Sequence, residues 1–463
     1  MNDILYIYAT VAVVVGLFAW QVFRKTFDPF SPIWLFLTGY VQLYVIQALS
    51  TREWAIGIRG QEIVAAANFR IFWALLWFLA VYHLVPAKWL SKGLPTPPRA
   101  WSVMAVWAFS PFLIAWGIVC ALAVIRQSMG VGEDPNAISA EAALFRSFPF
   151  VLMVAGILLL VSGRIPDSPN RAALAVGLLI PAGYVLVWMF NGKRSHALIG
   201  ILSAVCAYYT TRQKRPSWPV LITTAVAGAL VVSLAIGWRN NPYYERSASG
   251  FIQYVGDFEP SKILAALNVQ DDEEVDLNSK IVKSYETLEY GGFLLMLDTV
   301  PEKTDHDFGA CYLRCFSTFI PRIFWPDKPL YGREQWIKAW QAGSELKRED
   351  DFTGPAIGLL GATQLNGGAV ATVIVLGFLA LGMRVGYAYF LRYADVPWVQ
   401  AWWALTYFNA WFTVVGDDPS TWFYYNYGFS VLPTLGMLWV VNSFAGAGAS
   451  APAHSPVAVS AGI

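Results

Sequence analysis

Apolar runs of about twenty residues recur along most of this chain, each long enough to cross the roughly 30 Å hydrocarbon core of a bilayer as a helix. In hydrocarbon a spanning segment must satisfy its backbone N–H and C=O groups internally, so such runs read as helices. Eleven candidates lie at about 3–23, 31–50, 69–87, 101–125, 147–162, 172–190, 196–211, 218–237, 366–391, 398–416 and 424–444. The first carries no basic n-region and no small-residue cleavage site, so it is expected to be a retained helix rather than a signal peptide. Two more apolar stretches, 308–325 and 355–365, are short and suit re-entrant or interfacial elements. The expected fold class is therefore all-α: a polytopic membrane protein of about 11–13 spans.

The runs are interrupted once. Residues 238–355 hold no spanning run, yet carry 20 of the 31 Asp and Glu against 13 of the 32 Lys and Arg. This divides the chain into a bundle of about eight helices (1–237), a large polar loop with amphipathic and interfacial helices (238–355), further spans (356–444) and a tail (445–463). The tail is Ala, Gly, Ser and Pro and is expected to be disordered. Composition agrees with a membrane protein: 56% of residues are hydrophobic and only 14% charged. The 21 Trp and 22 Tyr suit the two headgroup belts. A net charge of +1 gives no case for nucleic acid.

Basic residues set the expected orientation. Alternate loops hold Arg24 and Lys25; Lys88, Lys92 and Arg99; Arg164 and Arg171; Arg212, Lys214 and Arg215; and Arg384 and Arg392, twelve cations against the three acids Asp28, Asp167 and Asp395. The intervening loops mix Arg52, Arg59, Arg126 and Arg146 with Glu53, Glu62, Glu133, Asp134 and Glu141. The N-terminus and the large loop are thus expected outside, and the C-terminus in the cytoplasm. One external turn opposes this bias: residues 191–196 read Asn-Gly-Lys-Arg-Ser-His. Lys193 and Arg194, with Arg239 at another outer helix end, either bind an anionic ligand or snorkel to headgroups.

In the large loop, residues 319–329 enclose Arg322 between aromatic and apolar residues, with Lys328 between two prolines. Three prolines restrict the backbone and suit a rigid interfacial arm presenting two cations. Arg322 would grip phosphate oxygens with two parallel hydrogen bonds, Lys328 as a point charge. Candidate bases are His306, in Asp305-His306-Asp307, then Asp257 and Glu259, in Gly-Asp-Phe-Glu. His196 follows the basic turn. Other features read as ordinary structure. Asp271–Asp276 lacks the ligand spacing of a calcium loop. Cys311 and Cys315 have no partners to complete a zinc site. Apolar positions over 279–299 repeat at helical spacing, and Tyr243-Tyr244 and Trp336/Trp340 are candidates to stack on sugar rings.

The order of these features carries a resemblance. An outer Gly-Lys-Arg-Ser turn, a helix ending near Arg239, Phe308-Gly309…Tyr312-Leu313, Pro-Arg-x-x-Trp-Pro-x-Lys-Pro and a helix start at Leu365-Asn366-Gly367-Gly368 follow one another over roughly 185–385. The chain resembles the O-antigen polymerase family, the oligosaccharide repeat unit or Wzy-type polymerases. The resemblance implies a metal-independent glycosyltransferase of the bacterial cytoplasmic membrane, without cofactor. It would join undecaprenyl-pyrophosphate-linked oligosaccharide repeat units at the outer face, releasing undecaprenyl pyrophosphate. Membrane lipid, a chain-length regulator and a flippase are the implied partners. Lys193, Arg194, Arg239, Arg322 and Lys328 would bind the pyrophosphate. The rival readings are an O-antigen ligase, a transferase using lipid monophosphate sugars, and a flippase or transporter. Loop 51–68 holds only the separated Glu53 and Glu62 and no acidic pair, which weighs against the second, and the lack of an internal repeat weighs against the third.

Overall fold

A computed structural model of the chain describes residues 3–129, 149–165, 169–240, 243–245, 247–258, 288–317, 325, 333–344, 356–416 and 430–446. Every regular element among them is helical. Besides two short turns, Ala87–Leu90 and Ser91–Gly93, these are in chain order α1 (Asp3–Phe23), α2 (Pro32–Ser50), α3 (Arg52–Arg59), α4 (Gln61–Leu84), α5 (Val103–Met129), α6 (Val151–Ser162), α7 (Arg171–Phe190), α8 (Arg194–Thr210) and α9 (Trp218–Asn240). Then follow α10 (Ala248–Gly256), α11 (Glu289–Thr299), α12 (Ala310–Ser317), α13 (Arg333–Gly343), α14 (Gly358–Arg392), α15 (Pro397–Thr406), α16 (Asn409–Val415) and α17 (Leu432–Gly446). Seven of the described helices, α1, α2, α4, α5, α7, α9 and α14, are long and apolar enough to cross a membrane. The other expected runs form the shorter helices α6, α8, α15 with α16, and α17. The chain is an all-α polytopic membrane protein.

Two large cores organise the bundle. In the first, α6 is apolar on every side and buried at every position from Val151 to Ser162, as a helix enclosed by others must be. Lipid gives little hydrophobic drive between helices, so close packing has to supply the contact energy. Small residues permit it: a Cβ on Gly177 of α7 would stand 2.4 Å from the backbone N of Leu160, and one on Gly156 would stand 2.7 Å from Cδ of Pro181. Gly177→Val is therefore expected to destabilise the bundle by at least about 1–3 kcal/mol through overpacking. Thermal unfolding in detergent would read this as a lowered midpoint; an unchanged midpoint would show that α6 and α7 part without loss.

The second core gathers α1, α2, α4, α11 and α14. Phe36 and Phe78 stack there at 3.7 Å with ring planes 5° apart. The described part of the apolar 279–299 repeat is α11, whose run from Glu289 to Met296 is buried. It is held by polar pairs as well as packing. Gln47 donates to Glu289 Oε2 at 2.6 Å and accepts from the backbone N of Tyr290 at 3.0 Å. The Tyr290 hydroxyl donates to Asn68 at 2.9 Å. Arg59, almost fully buried, ties α3 to Asp298 at 3.2 Å and to the Gly343 carbonyl at 2.6 Å. Trp340 of α13 is buried, and Trp336 packs on the same small cluster of α11 and α14 residues, so both serve as core here. The polar segment is thus anchored on the bundle at α11 and α13, and it delivers residues 300–309 to one end of α14.

Candidate functional site

The sequence Leu365-Asn366-Gly367-Gly368 interrupts α14. Gly367 has φ 157° and ψ 23°, and Gly368 has φ 63° and ψ −132°, conformations open to glycine and strained for other residues. The break separates a first limb, 358–366, from a second, 369–392. The first limb is buried throughout, and the Tyr44 hydroxyl accepts its Leu360 N–H at 2.7 Å. The expected short element at 355–365 and helix start at 366–368 correspond to this limb and break.

A broken helix leaves carbonyls that must find other donors. The Gln364 carbonyl faces His306 Nδ1 at 3.0 Å, and the Leu365 carbonyl accepts the Asp307 N–H at 2.8 Å. Asn366 turns back, donating to the Ala362 carbonyl at 2.7 Å and accepting from the Gly309 N–H at 3.1 Å. The Asp305-His306-Asp307 turn is therefore a cap on the break. A carbonyl only accepts, so His306 Nδ1 carries the proton in that bond; in the neutral ring Nε2 then holds the free lone pair. Nε2 lies beside Gly368, at 3.9 Å from where a Cβ would stand. The half-buried ring meets Phe308 edge-on at 5.7 Å.

Arg70 completes this cluster. It lies nine residues into α4 and donates from Nη1 to Gln364 Oε1 at 3.0 Å, while Gln364 donates to the Val300 carbonyl at 2.6 Å. Its guanidinium also lies 5.7 Å from the Trp73 ring centre. Among the described residues no carboxylate forms an ion pair with Arg70. A cation within an apolar helix of spanning length is uncommon, which makes Arg70 a candidate functional residue. The one-residue spacing around His306 drew attention to it in the sequence. Arg70 escaped because its neighbours form an apolar run; the signal was the charge itself.

Asp307 accepts the Cys311 N–H at 2.6 Å and so caps the start of α12. Burial raises its carboxyl above the usual range, against the lowering effect of that bond. A carboxyl whose folded pKa is raised loses stabilisation as pH climbs through that value. Asp307→Asn keeps an acceptor for Cys311 and removes the buried charge. It is expected to raise the thermal midpoint at pH 7 by a small amount, with the gain fading as pH falls towards about 4, the unperturbed carboxyl range. A gain that grew on acidification would reverse the assignment.

The basic turn belongs to the other core. Gly192, at φ 65°, closes α7, with Lys193 N–H bonded to the Trp188 carbonyl at 2.9 Å and Gly192 N–H to Met189 at 2.9 Å. A Cβ on Gly192 would stand 2.8 Å from Cβ of Arg239, so the turn lies directly on the end of α9. Lys193, Arg194 and Arg239 are exposed there. His196 packs inward, its ring 4.3 Å from Trp188. Asp257 is exposed and accepts the Tyr244 hydroxyl at 2.9 Å, a bond that raises the tyrosine's pKa. Tyr254 fastens α10 to α9 through the Leu234 carbonyl at 3.1 Å and a Trp238 contact at 5.5 Å. Arg194, Arg239 and Asp257 thus sit on the first core, and His306 and Arg70 on the second. Glu259, Arg322 and Lys328 lie outside the described residues, as does Asp271–Asp276. Among the described residues no group of three or more His, Cys, Asp or Glu is placed to hold a metal. No protein family, curated protein or solved structure matches this chain.

Proposed function

We propose that the protein is a polysaccharide polymerase. It joins undecaprenyl-pyrophosphate-linked oligosaccharide repeat units at the outer face of the bacterial cytoplasmic membrane, with the N-terminus outside and the C-terminus in the cytoplasm. The observation that carries the reading is that Gln364 at the α14 break holds both His306, whose Nε2 lone pair faces away from that bond, and Arg70, which has no carboxylate partner among the described residues. In this reaction an acceptor hydroxyl attacks the anomeric carbon of the donor, and the bond from that carbon to the pyrophosphate oxygen breaks. The electron pair leaves on the phosphate, and the hydroxyl proton passes to His306 Nε2. Charge grows on an already anionic leaving group, where a preorganised guanidinium is most useful. Donor and acceptor each carry a lipid pyrophosphate, and the exposed cations Lys193, Arg194 and Arg239 would meet the other one. Asp257 beside that surface is the second candidate base.

The interrupted helix supports one other reading, a transporter of lipid-linked glycan, because broken helices build transport sites near the midplane. The location of the break favours the enzyme. The second limb, 369–392, is about 36 Å long at 1.5 Å per residue and is long enough to cover the hydrocarbon thickness without the first limb, which suits a break nearer the membrane edge than the midplane. The test is the purified chain in lipid with undecaprenyl-pyrophosphate oligosaccharide and neither nucleotide sugar nor ATP. Lengthened lipid-linked glycan is the expected product. Unchanged length with altered sidedness would establish the transporter instead.

A further inference from the structure

The far end of α4 and α14 holds a second site. Arg384 is sixteen residues beyond Gly368, about 24 Å along the second limb. There the end of α1, the 24–31 loop, the end of α4 and α14 enclose a cavity of about 460 Å³, within the range of small-ligand pockets. Trp20, Asp28, Tyr82, His83, Arg384 and Tyr387 are among its walls.

The charges in it are unequally committed. The Asp28 carboxylate accepts Arg215 Nη2 at 2.7 Å, the Phe30 N–H at 2.9 Å and the Tyr387 hydroxyl. Its charge is thereby matched. Arg384 lies over the Tyr82 ring at 5.3 Å, but its buried Nε has no hydrogen-bond partner, and among the described residues no carboxylate forms an ion pair with it. The Tyr82 hydroxyl bonds Ser31 at 3.0 Å and also meets Arg384, but carries no charge to match it. His83, at the exposed mouth, adds a second nitrogen donor. The uncommitted charge of the cavity is therefore positive.

Aromatic rings of the kind that gather at headgroup depth border the cavity. Phe27 stacks on Trp218 at 5.2 Å, and Phe18 meets Trp34 edge-on at 5.5 Å, forming an aromatic belt beside it. Arg24 covers the exposed Trp20 ring at 4.3 Å. A basic pocket between helix ends bordered by such rings suits a phosphate, which guanidinium grips with two hydrogen bonds. We propose that this cavity binds a phosphate-bearing anion through Arg384 and His83, presented either by an anionic phospholipid of the adjacent leaflet or by a soluble phosphate. This binding is independent of the glycan chemistry at the opposite end.

The test uses the purified, delipidated full chain. Binding is followed by native mass spectrometry and thermal midpoint, with phosphatidylglycerol, phosphatidylcholine or inorganic phosphate added. Phosphatidylglycerol is expected to be retained and to raise the midpoint. Arg384→Gln should weaken that binding about tenfold or more, the scale of one charge-assisted hydrogen bond. Arg212→Gln, at an exposed arginine held by Tyr208 at 2.8 Å, should leave it unchanged. Protection by inorganic phosphate that also depends on Arg384 would identify a soluble source, and protection by phosphatidylglycerol alone a lipid. If Arg384→Gln does not fold, His83→Gln at the open mouth gives the reading, with a smaller loss expected. Undiminished binding of both probes by the folded Arg384→Gln chain, or by His83→Gln where that variant replaces it, would overturn the proposal.

Discussion

On the proposed reading, His306→Gln is expected to lower the rate of glycan extension by about 10²–10⁴, the usual contribution of a general base. The substitution is chosen for what it keeps. A glutamine side-chain N–H can still donate to the Gln364 carbonyl, which His306 Nδ1 meets at 3.0 Å. Where that bond re-forms, the cap on the broken helix is kept while the Nε2 lone pair and the ring contact with Phe308 are lost. Extension would be measured as the length distribution and yield of lipid-linked product, beside the thermal midpoint of the same preparation. A large loss of rate with an unchanged midpoint assigns the proton transfer to His306. Full activity in His306→Gln, and likewise in Asp257→Asn, would leave the reaction running on leaving-group stabilisation without either base. Loss of folding would make the ring a structural cap, and the base would then be sought beside the Tyr244–Asp257 pair on the other core.

The spans were legible because bilayer thickness fixes their length, and α1 fills its expected run from Asp3 to Phe23. The α4 run was read from residue 69, but the helix starts at Gln61. Gln61, Glu62 and Asn68 lower the hydropathy ahead of residue 69, although the structure satisfies Asn68, which bonds Tyr290 and the Asp3 carbonyl. Periodicity over 279–299 suggests an amphipathic helix on the membrane or on the bundle, with ordinary packing as the default; Phe293, Leu294, Leu295 and Met296 are all buried, since other elements enclose α11 on more than one side. His306 stood out through its acidic neighbours, and the glycine pair through its position before a long apolar run. The partnership that gives His306 its setting joins Arg70 to Gln364 across 294 residues, and no local pattern encodes such a distance.

Arg70→Met is expected to reduce extension by about 10²–10³, the loss seen when a preorganised charge-stabilising donor is removed from a reacting site. Its effect on stability should be much smaller, because two terms oppose each other. The Gln364 oxygen loses its donor at 3.0 Å, which costs about 1–3 kcal/mol if nothing replaces it. Against this, a half-buried cation with no ion-pair partner among the described residues leaves a spanning helix, which is favourable. Arg70→Lys separates charge from geometry: the ammonium retains the field but loses the fork that can hold two phosphate oxygens, so activity should fall between that of the native chain and Arg70→Met. Product yield at saturating donor and thermal midpoint, taken on all three proteins, check the ordering. If Arg70→Met loses stability and keeps its rate, Arg70 is a hydrogen-bond donor that positions Gln364 and nothing more. The pyrophosphate would then have to meet its cations at the exposed turn where Lys193 and Arg194 adjoin Arg239, on the opposite core from His306, and the acceptor proton would pass to a group on that side.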